Sequence, residues 1–358
     1  MFRNSMKKIL FSATTLVAVI SLVLAGCGDD NDSEGASSAE KPLIVVTTNI
    51  LGDVVTNMVG DSFDVETIMP PGSDPHDFQA SAQQVQMMMS ADLLIVNGAN
   101  FEEGMLDVIE NAESDGVMMF EAISVVSQLE GSDDHGHGDH DDHEGHDDHD
   151  DHEGHDHDEE KEHDDHEGHD DHDDHEGHDH GGIDPHFFTD PARMAVVAQE
   201  LSEFLVANFP DADQGFVSTA NDYVKQLQDL DSEVEETLSA ISSGERLLVT
   251  NHAVFAYFAD RYSFTVLGEI IPSSSTLASA SAQQLASLAE EIKENQVKAI
   301  FADASSSDAL AQTLADEVSG VEVINLYTES LGDPGSSGDS YIDMIRFNAE
   351  AIASALVG

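Results

Sequence analysis

The sequence is poor in cysteine and in basic residues. Its single cysteine, Cys27, can form no internal disulfide, so an exported chain would have to fold without that crosslink. Only 12 lysines and arginines stand against 73 aspartates and glutamates, which gives a formal net charge of −61. Because phosphate backbones would be repelled by such a chain, nucleic acid is excluded as an expected partner.

The sequence also lacks an apolar run long enough to cross a membrane. The run from Ile9 to Val23 falls short of the ~20 residues that a spanning helix needs. Basic residues precede it and the tetrapeptide LAGC, ending at Cys27, follows it, which predicts a secretory signal over residues 1–26. LAGC resembles the bacterial lipobox, so Cys27 is expected to carry a lipid; the alternative is an ordinary signal peptide that leaves an unpaired thiol.

The composition that follows Cys27 predicts an anchored, extracytoplasmic protein. Residues 27–41 are small, polar and acidic, which is typical of a flexible tether. With a lipid on Cys27, the protein would be held at the cell membrane and face the periplasm or the cell exterior.

Beyond the tether, short β-branched runs alternate with stretches whose apolar residues have helical spacing. The runs LIVVTT, DLLIVN and RLLVT are examples of the predicted strands. Such alternation predicts an α/β fold with parallel sheets. About 320 residues exceed what one core usually serves, so two lobes are expected. The predicted boundaries are 42–189 for the first lobe, 190–212 for a linking helix and 213–358 for the second lobe.

A low-complexity tract interrupts the first lobe at 133–180. It holds 16 of the 19 histidines and 25 acidic residues, and the sequence DDHEGHDDHDDHEGHDH occurs in it twice. Without apolar residues the repeats cannot form a core. The tract is expected to bind Zn²⁺, Ni²⁺ or Cu²⁺ at many weak sites, as a reservoir or sensor; the alternative is a solvated linker with no specific role.

Three histidines remain outside the tract: His76, His186 and His252. Each lies where a strand or loop gives way to a helix, and His76 and His186 each end a DPH tripeptide. A single loop histidine is more often structural than a ligand, but three such residues together predict a site for a transition metal. A carboxylate would balance the ion's charge, and Glu329 in LYTESLG is the candidate, although a solvated loop acid is the simpler interpretation of that residue alone.

The ordered motifs PGSDPHDF, DPHFFTDP, TNHAVFAYFADRYSF, IFADASSSDALAQTLADEV and LYTESLG resemble the zinc/manganese solute-binding lipoproteins of bacterial metal ABC transporters. The resemblance covers the chain from Leu43 to its end. It implies two similar α/β lobes bridged by one long helix, with the metal held between them. It also implies that the family's four ligands fall on His76, His186, His252 and Glu329. The fourth is glutamate here rather than the family's usual aspartate, so the alternative is that water or another group completes the shell.

This resemblance implies a non-enzymatic receptor, expected as a monomer, that delivers metal to its cognate ABC permease. The third ligand is commonly glutamate in manganese-binding members and is histidine here, which favours Zn²⁺ over Mn²⁺. A manganese receptor is the first alternative. A secreted zinc hydrolase is the second, although the sequence has neither an HEXXH helix nor a clear nucleophile elbow.

Overall fold

The computed structural model describes residues 41–131 and 182–357. From Lys41 onward the chain forms one compact unit. The predicted signal segment, Cys27, the tether up to residue 40 and the His-rich tract lie outside the described residues. Within the described ranges, no helix is both long and apolar enough to cross a membrane.

The first lobe is built on a four-stranded parallel sheet with the strand order β2-β1-β3-β4. Along β1, Ile44 and Val46 face one core and Val45 faces another, because successive side chains of a strand point to opposite faces. The elements of this lobe are β1 (Leu43–Val46), α1 (Asn49–Val59), β2 (Asp64–Thr67), α2 (Ala82–Met89), β3 (Leu93–Val96), α3 (Leu106–Ser114) and β4 (Met119–Glu121).

Two long helices follow the tract, and the second lobe then repeats the topology of the first. Its sheet is also parallel, with the order β6-β5-β7-β8. The elements are α4 (Pro191–Asn208), α5 (Phe216–Leu238), β5 (Leu247–His252), α6 (Ala256–Tyr262), β6 (Thr265–Ile271), α7 (Ala282–Asn295), β7 (Ala299–Asp303), α8 (Ala309–Val318), β8 (Glu322–Leu326) and α9 (Tyr341–Val357).

One apolar core runs through both lobes. It joins buried residues of β1 and β3 to residues of β5, β7 and β8 through α1, α4, α5 and α9. Smaller cores cover the outer face of each sheet, under α2 and α3 in the first lobe and under α7 and α8 in the second. The predicted α/β fold with two parallel-sheet lobes is therefore confirmed.

The helix α4 begins where the sequence places it. Pro191 occupies its first turn, and the side chain of Asp190 accepts hydrogen bonds from the backbone N–H groups of Ala192 and Arg193. The longer α5 packs against α4, α1 and α9. The domain boundaries at 189/190 and 212/213, and the assignment of the link between lobes to α4 alone, stay predictions.

Two helices start later than the sequence suggests. Apolar residues at helical spacing over 101–111 predict a helix from Phe101, but α3 begins only at Leu106, because the carboxylate of Glu102 folds back to accept the N–H of Asn97 and the hydroxyl of Thr47. Likewise, the pattern after RLLVT predicts a helix from Ala253, whereas β5 extends to His252 and α6 starts at Ala256.

Candidate metal centre

The four candidate ligands come from four separate segments of the chain. His76 lies in the loop after β2, and His186 lies in the connection that leads into α4. His252 is the last residue of β5, and Glu329 lies in the loop after β8. Parallel strands end at the same edge of a sheet. In each sheet the chain moves outward from the first strand in one direction and then in the other, so a crevice forms next to β1 and next to β5. The ligand loops meet there.

The structure brings all four side chains together. One ligand atom from each lies within 4.8 Å of the others, and every one of the four residues is buried. The Nε2 atoms of His76, His186 and His252 lie 2.8, 3.3 and 3.0 Å from Oε1 of Glu329. Three imidazole nitrogens thus converge on one carboxylate oxygen.

The two DPH motifs have the same backbone arrangement but different ring partners. In each, the aspartate accepts the backbone N–H of the histidine two residues on, at 2.9 Å for Asp74 and 2.8 Å for Asp184. Asp184 also contacts Nδ1 of His186 at 2.8 Å. Asp74 does not contact the ring of His76; the corresponding partner of that Nδ1 is Glu103, at 2.9 Å.

Glu103 was missed by the sequence analysis. It reaches His76 because the turn before α3 lies directly against the His76 loop, where a Cβ on Gly104 would stand 2.2 Å from the carbonyl oxygen of Phe78. Only glycine allows this approach. The one available signal was the placement of two acids just after β3, at the same sheet edge as the other ligand loops.

The loop after β3 also supports the second motif. The side-chain amide of Asn97 donates to the carbonyl of Pro185 at 2.9 Å, and Glu102 holds the backbone N–H of Asn97 at 2.7 Å. Asp184 and Glu103 contact the Nδ1 atoms of His186 and His76, and the Nε2 atoms of both rings face Glu329. Such partners orient an imidazole for metal binding.

The charges in this cluster shift one another's ionisation. Burial by itself lowers the pKa of His76, but Glu329 and Glu103 outweigh it and raise that pKa to about 10. Burial also works against the charged form of His186, where Asp184 and Glu329 raise the pKa. Burial opposes ionisation of Glu329 too, yet His252 and His76 hold its pKa well below the usual range. The site therefore stabilises a carboxylate next to a positive charge.

Two buried polar atoms of the cluster have no hydrogen-bond partner among the described residues. They are Oε2 of Glu329 and Nδ1 of His252. Buried polar atoms are nearly always satisfied, so an unpaired carboxylate oxygen beside three imidazoles is the arrangement that a cation would complete. The donor set, three nitrogens and a carboxylate, suits zinc and related transition metals better than magnesium or calcium.

A cleft of about 660 Å³ leads from the surface to His76 and Glu103. The first lobe contributes Asn100 and Leu106 to its walls, and the second contributes Ser273, Ser274, Ser275, Leu277 and Ala278. Gly131 and Gly182 line it as well, and the N–H of Gly131 donates to the carbonyl of Gly182 at 2.8 Å. The two described residues that flank the tract thus lie at the entrance to the site.

Comparison with known proteins places this architecture in a family. Residues 44–355 match the family described as "ZnuA: Zinc-uptake complex component A periplasmic". The chain is 25% identical to the manganese ABC transporter substrate-binding lipoprotein PsaA of Streptococcus anginosus, over 98% of this chain and 99% of that protein. It is also 25% identical to the manganese-binding lipoprotein MntA of Halalkalibacterium halodurans, with the same coverage.

Solved structures share the fold. The periplasmic zinc-binding protein TroA from Treponema pallidum superposes with a TM-score of 0.69 at 24% identity, over 88% of this chain and 99% of that one. The manganese-bound periplasmic metal-binding protein of Candidatus Liberibacter asiaticus gives 0.68 at 18% identity, over 88% of this chain and 100% of that one. With its family match spanning nearly the whole described chain, this protein belongs to the zinc-uptake complex component A family, the substrate-binding receptors of metal ABC transporters.

Proposed function

We propose that this protein is a zinc receptor that holds one Zn²⁺ between its lobes, on His76, His186, His252 and Glu329, and delivers it to a membrane permease. The observation that carries the proposal is the convergence of those four buried side chains within 4.8 Å. A lipid on Cys27 would keep the receptor next to the permease, facing the periplasm or the exterior.

The donor set favours zinc over manganese. Zn²⁺ takes four ligands in a tetrahedron and accepts imidazole readily, whereas Mn²⁺ is better served by oxygen donors. Here three of the four groups are imidazoles. The relatives named as manganese proteins support the alternative, a manganese receptor, so the metal has to be tested directly.

The geometry favours a receptor over a hydrolase. A catalytic zinc site keeps a coordination position open for water or substrate, whereas four protein donors supply a full tetrahedral set. Their burial also shields the ion from substrates larger than water. We expect no turnover by the zinc-loaded protein on ester, peptide or phosphate substrates.

Competition against chelators of known affinity tests the proposal. A variant without residues 133–180 should keep one tight site for zinc and lose the weak ones. His76→Ala, His186→Ala or His252→Ala in that background should abolish the tight site. A tight site that survives all three substitutions would contradict the ligand assignment, and tighter binding of Mn²⁺ than of Zn²⁺ would favour the manganese alternative.

The tract itself is proposed as a local reservoir. Gly131 and Gly182 bring its two attachment points to the cleft that leads to His76. Many weak sites on the tract's histidines would raise the zinc concentration at the entrance and release the ion readily to the tight site. Deleting 133–180 should then slow zinc loading at limiting metal without weakening the tight site; unchanged loading would support the solvated-linker alternative.

A further inference from the structure

The carboxylates of the two DPH motifs are used differently. In Asp184, Oδ1 accepts the backbone N–H of His186 and also contacts Nδ1 of the same residue. In Asp74, Oδ1 accepts the backbone N–H of His76 at 2.9 Å and Oδ2 accepts the hydroxyl of Thr276 at 2.7 Å. Thr276 belongs to the second lobe, so one carboxylate joins the backbone of a first-lobe ligand to the opposite side of the cleft.

Thr276 lies in the irregular segment between β6 and α7, and the root of that segment is tied to the second-lobe ligand. The carbonyl of Ser273 accepts the N–H of Ala253, the residue after His252, at 3.0 Å. His252 itself pairs with Ile271 in the sheet. The segment thus starts beside His252, and its Thr276 hydrogen-bonds to Asp74, two residues before His76.

The same segment forms part of the cleft wall. Ser275 and Glu103 both line the cleft, and the carboxylate of Glu103 contacts Nδ1 of His76. Thr276 lies between the lining residues Ser275 and Leu277, and both Thr276 and Asp74 are partly buried, so their hydrogen bond is partly shielded from competing water. Opening the cleft at this wall requires that cross-lobe hydrogen bond to break.

We infer that Thr276 is a positioning residue for metal retention, whose hydrogen bond to Asp74 latches the cleft shut while fixing the backbone of His76. The inference rests on the proposed function. With the latch formed, closure of the cleft and the position of a ligand are set by the same carboxylate. Loss of the latch should therefore speed the escape of bound metal and leave its capture nearly unchanged.

The test uses the full chain, loaded with one equivalent of Zn²⁺ and mixed rapidly with excess chelator, so that the slow phase reports the tight site. Thr276→Val removes the hydroxyl at nearly constant shape and should speed that phase about three- to tenfold, the size expected for one partly buried hydrogen bond. Thr276→Ser keeps the donor and should restore a slow phase within about twofold of the unmodified chain. Ser274→Ala, on the same cleft wall, is the matched control and should change nothing.

A double-mutant cycle with Asp74→Ala, which removes the acceptor of the Thr276 hydroxyl, separates a latch from a general loss of packing. If the two side chains act on each other, Thr276→Val should add little once Asp74 is changed. Full additivity, or a Thr276→Val slow phase equal to that of Ser274→Ala, would overturn the inference and leave the receptor function standing. A wild-type chain with no slow zinc phase at all would instead overturn the proposed function, and the latch with it.

Discussion

At the scale of single residues, the site depends on what each ligand's second nitrogen contacts. Asp184 and Glu103 hold Nδ1 of His186 and His76, and both rings turn Nε2 toward Glu329. Nδ1 of His252 has no hydrogen-bond partner among the described residues. The three histidines should therefore differ in how strongly their neighbours affect metal binding.

Asp184→Ala should weaken zinc binding at the tight site by about 10- to 100-fold, the usual effect of losing a carboxylate that orients a ligating histidine. The reason is that His186 loses the partner of both its backbone N–H and its Nδ1. Chelator competition measures the change. Asp77→Asn, an exposed aspartate beside His76, is the control; an equal loss in both variants would point to net charge rather than orientation.

Zinc binding at the tight site should release protons and weaken as the pH falls. Glu329 and Glu103, acting against burial, raise the pKa of His76 to about 10, so the metal-free ring holds its proton at neutral pH. A bound ion needs that nitrogen bare, so affinity rises with pH up to the pKa of His76.

Calorimetry at about pH 8 in buffers of different ionisation enthalpy measures this release, because ordinary histidines with a pKa near 6.5 are already neutral there. The chain is given one equivalent of zinc so that the tight site dominates. A heat that does not depend on the buffer would contradict the expected proton displacement.

At the scale of elements, α5 is joined to α6 by a charged contact near the core. Asp231 on α5 accepts from Nε of Arg261 at 2.8 Å and from the hydroxyl of Tyr262 at 3.0 Å. Asp231→Ala leaves both donors without this partner and should cost about 1.5–3 kcal/mol of unfolding free energy, as for hydrogen bonds to charged groups.

Urea unfolding of the metal-free protein measures that cost. Asp229→Ala on the same helix is the matched control, since the Asp229–Lys225 pair is about two-thirds exposed on both sides. An exposed pair of this kind contributes little, about 0.5 kcal/mol or less. Similar losses in the two variants would show that the Asp231 contact has no special role.

The approach of the two ligand-bearing loops at Gly104 also belongs to this scale. A Cβ at Gly104 would lie 2.2 Å from the carbonyl oxygen of Phe78, so Gly104→Ala must move the turn that carries Glu103 away from His76. We expect at least a tenfold weaker affinity for zinc, in line with the loss of an orienting carboxylate. Gly244→Ala, which meets no atom within 4 Å, is the control; unchanged affinity at Gly104→Ala would mean that the turn can shift without releasing His76.

At the scale of the whole molecule, the site joins distant parts of the chain. His76 is 253 residues from Glu329, and the shared core also runs through both lobes. Close beside Glu329, the side-chain N–H of Asn49 donates to the hydroxyl of Ser330 at 2.8 Å. The side-chain oxygen of Asn49 accepts the backbone N–H of Leu331 at 2.8 Å. Metal binding should therefore stabilise the fold as a unit.

Free Zn²⁺ at about 1,000 times its Kd should raise the unfolding free energy by about 4 kcal/mol, since an ion that binds only the folded state stabilises it by mass action. The variant without 133–180 is the better subject, because histidines that bind zinc in the unfolded chain would reduce the effect. Thermal unfolding with and without zinc measures the shift, with Mg²⁺ as the control ion. An equal shift for His252→Ala would place the stabilising ion elsewhere.

Most of the architecture followed from local patterns. The runs LIVVTT, DLLIVN and RLLVT contain the residues of β1, β3 and most of β5, and the predicted linking helix contains α4, because β-branched runs and helical spacing are local properties of the chain. The errors fell at boundaries such as the start of α3, where Glu102 reaches back to Asn97 and Thr47. That contact depends on the packing of β1 beside β3, which local pattern does not contain.

Chain length and local pattern predict the two α/β lobes and the start of α4, and His76, His186 and His252 are the only histidines of the sequence outside the tract. Glu329 is predicted through the family resemblance, whereas the packing of the loops brings that carboxylate within reach of all three rings. Tertiary structure also decided that Glu103, not Asp74, holds the ring of His76, and that Asp74 reaches across to Thr276. The physical reason is that hydrogen-bond partners are chosen by which loops meet at the sheet edge, and identical tripeptides meet different neighbours there.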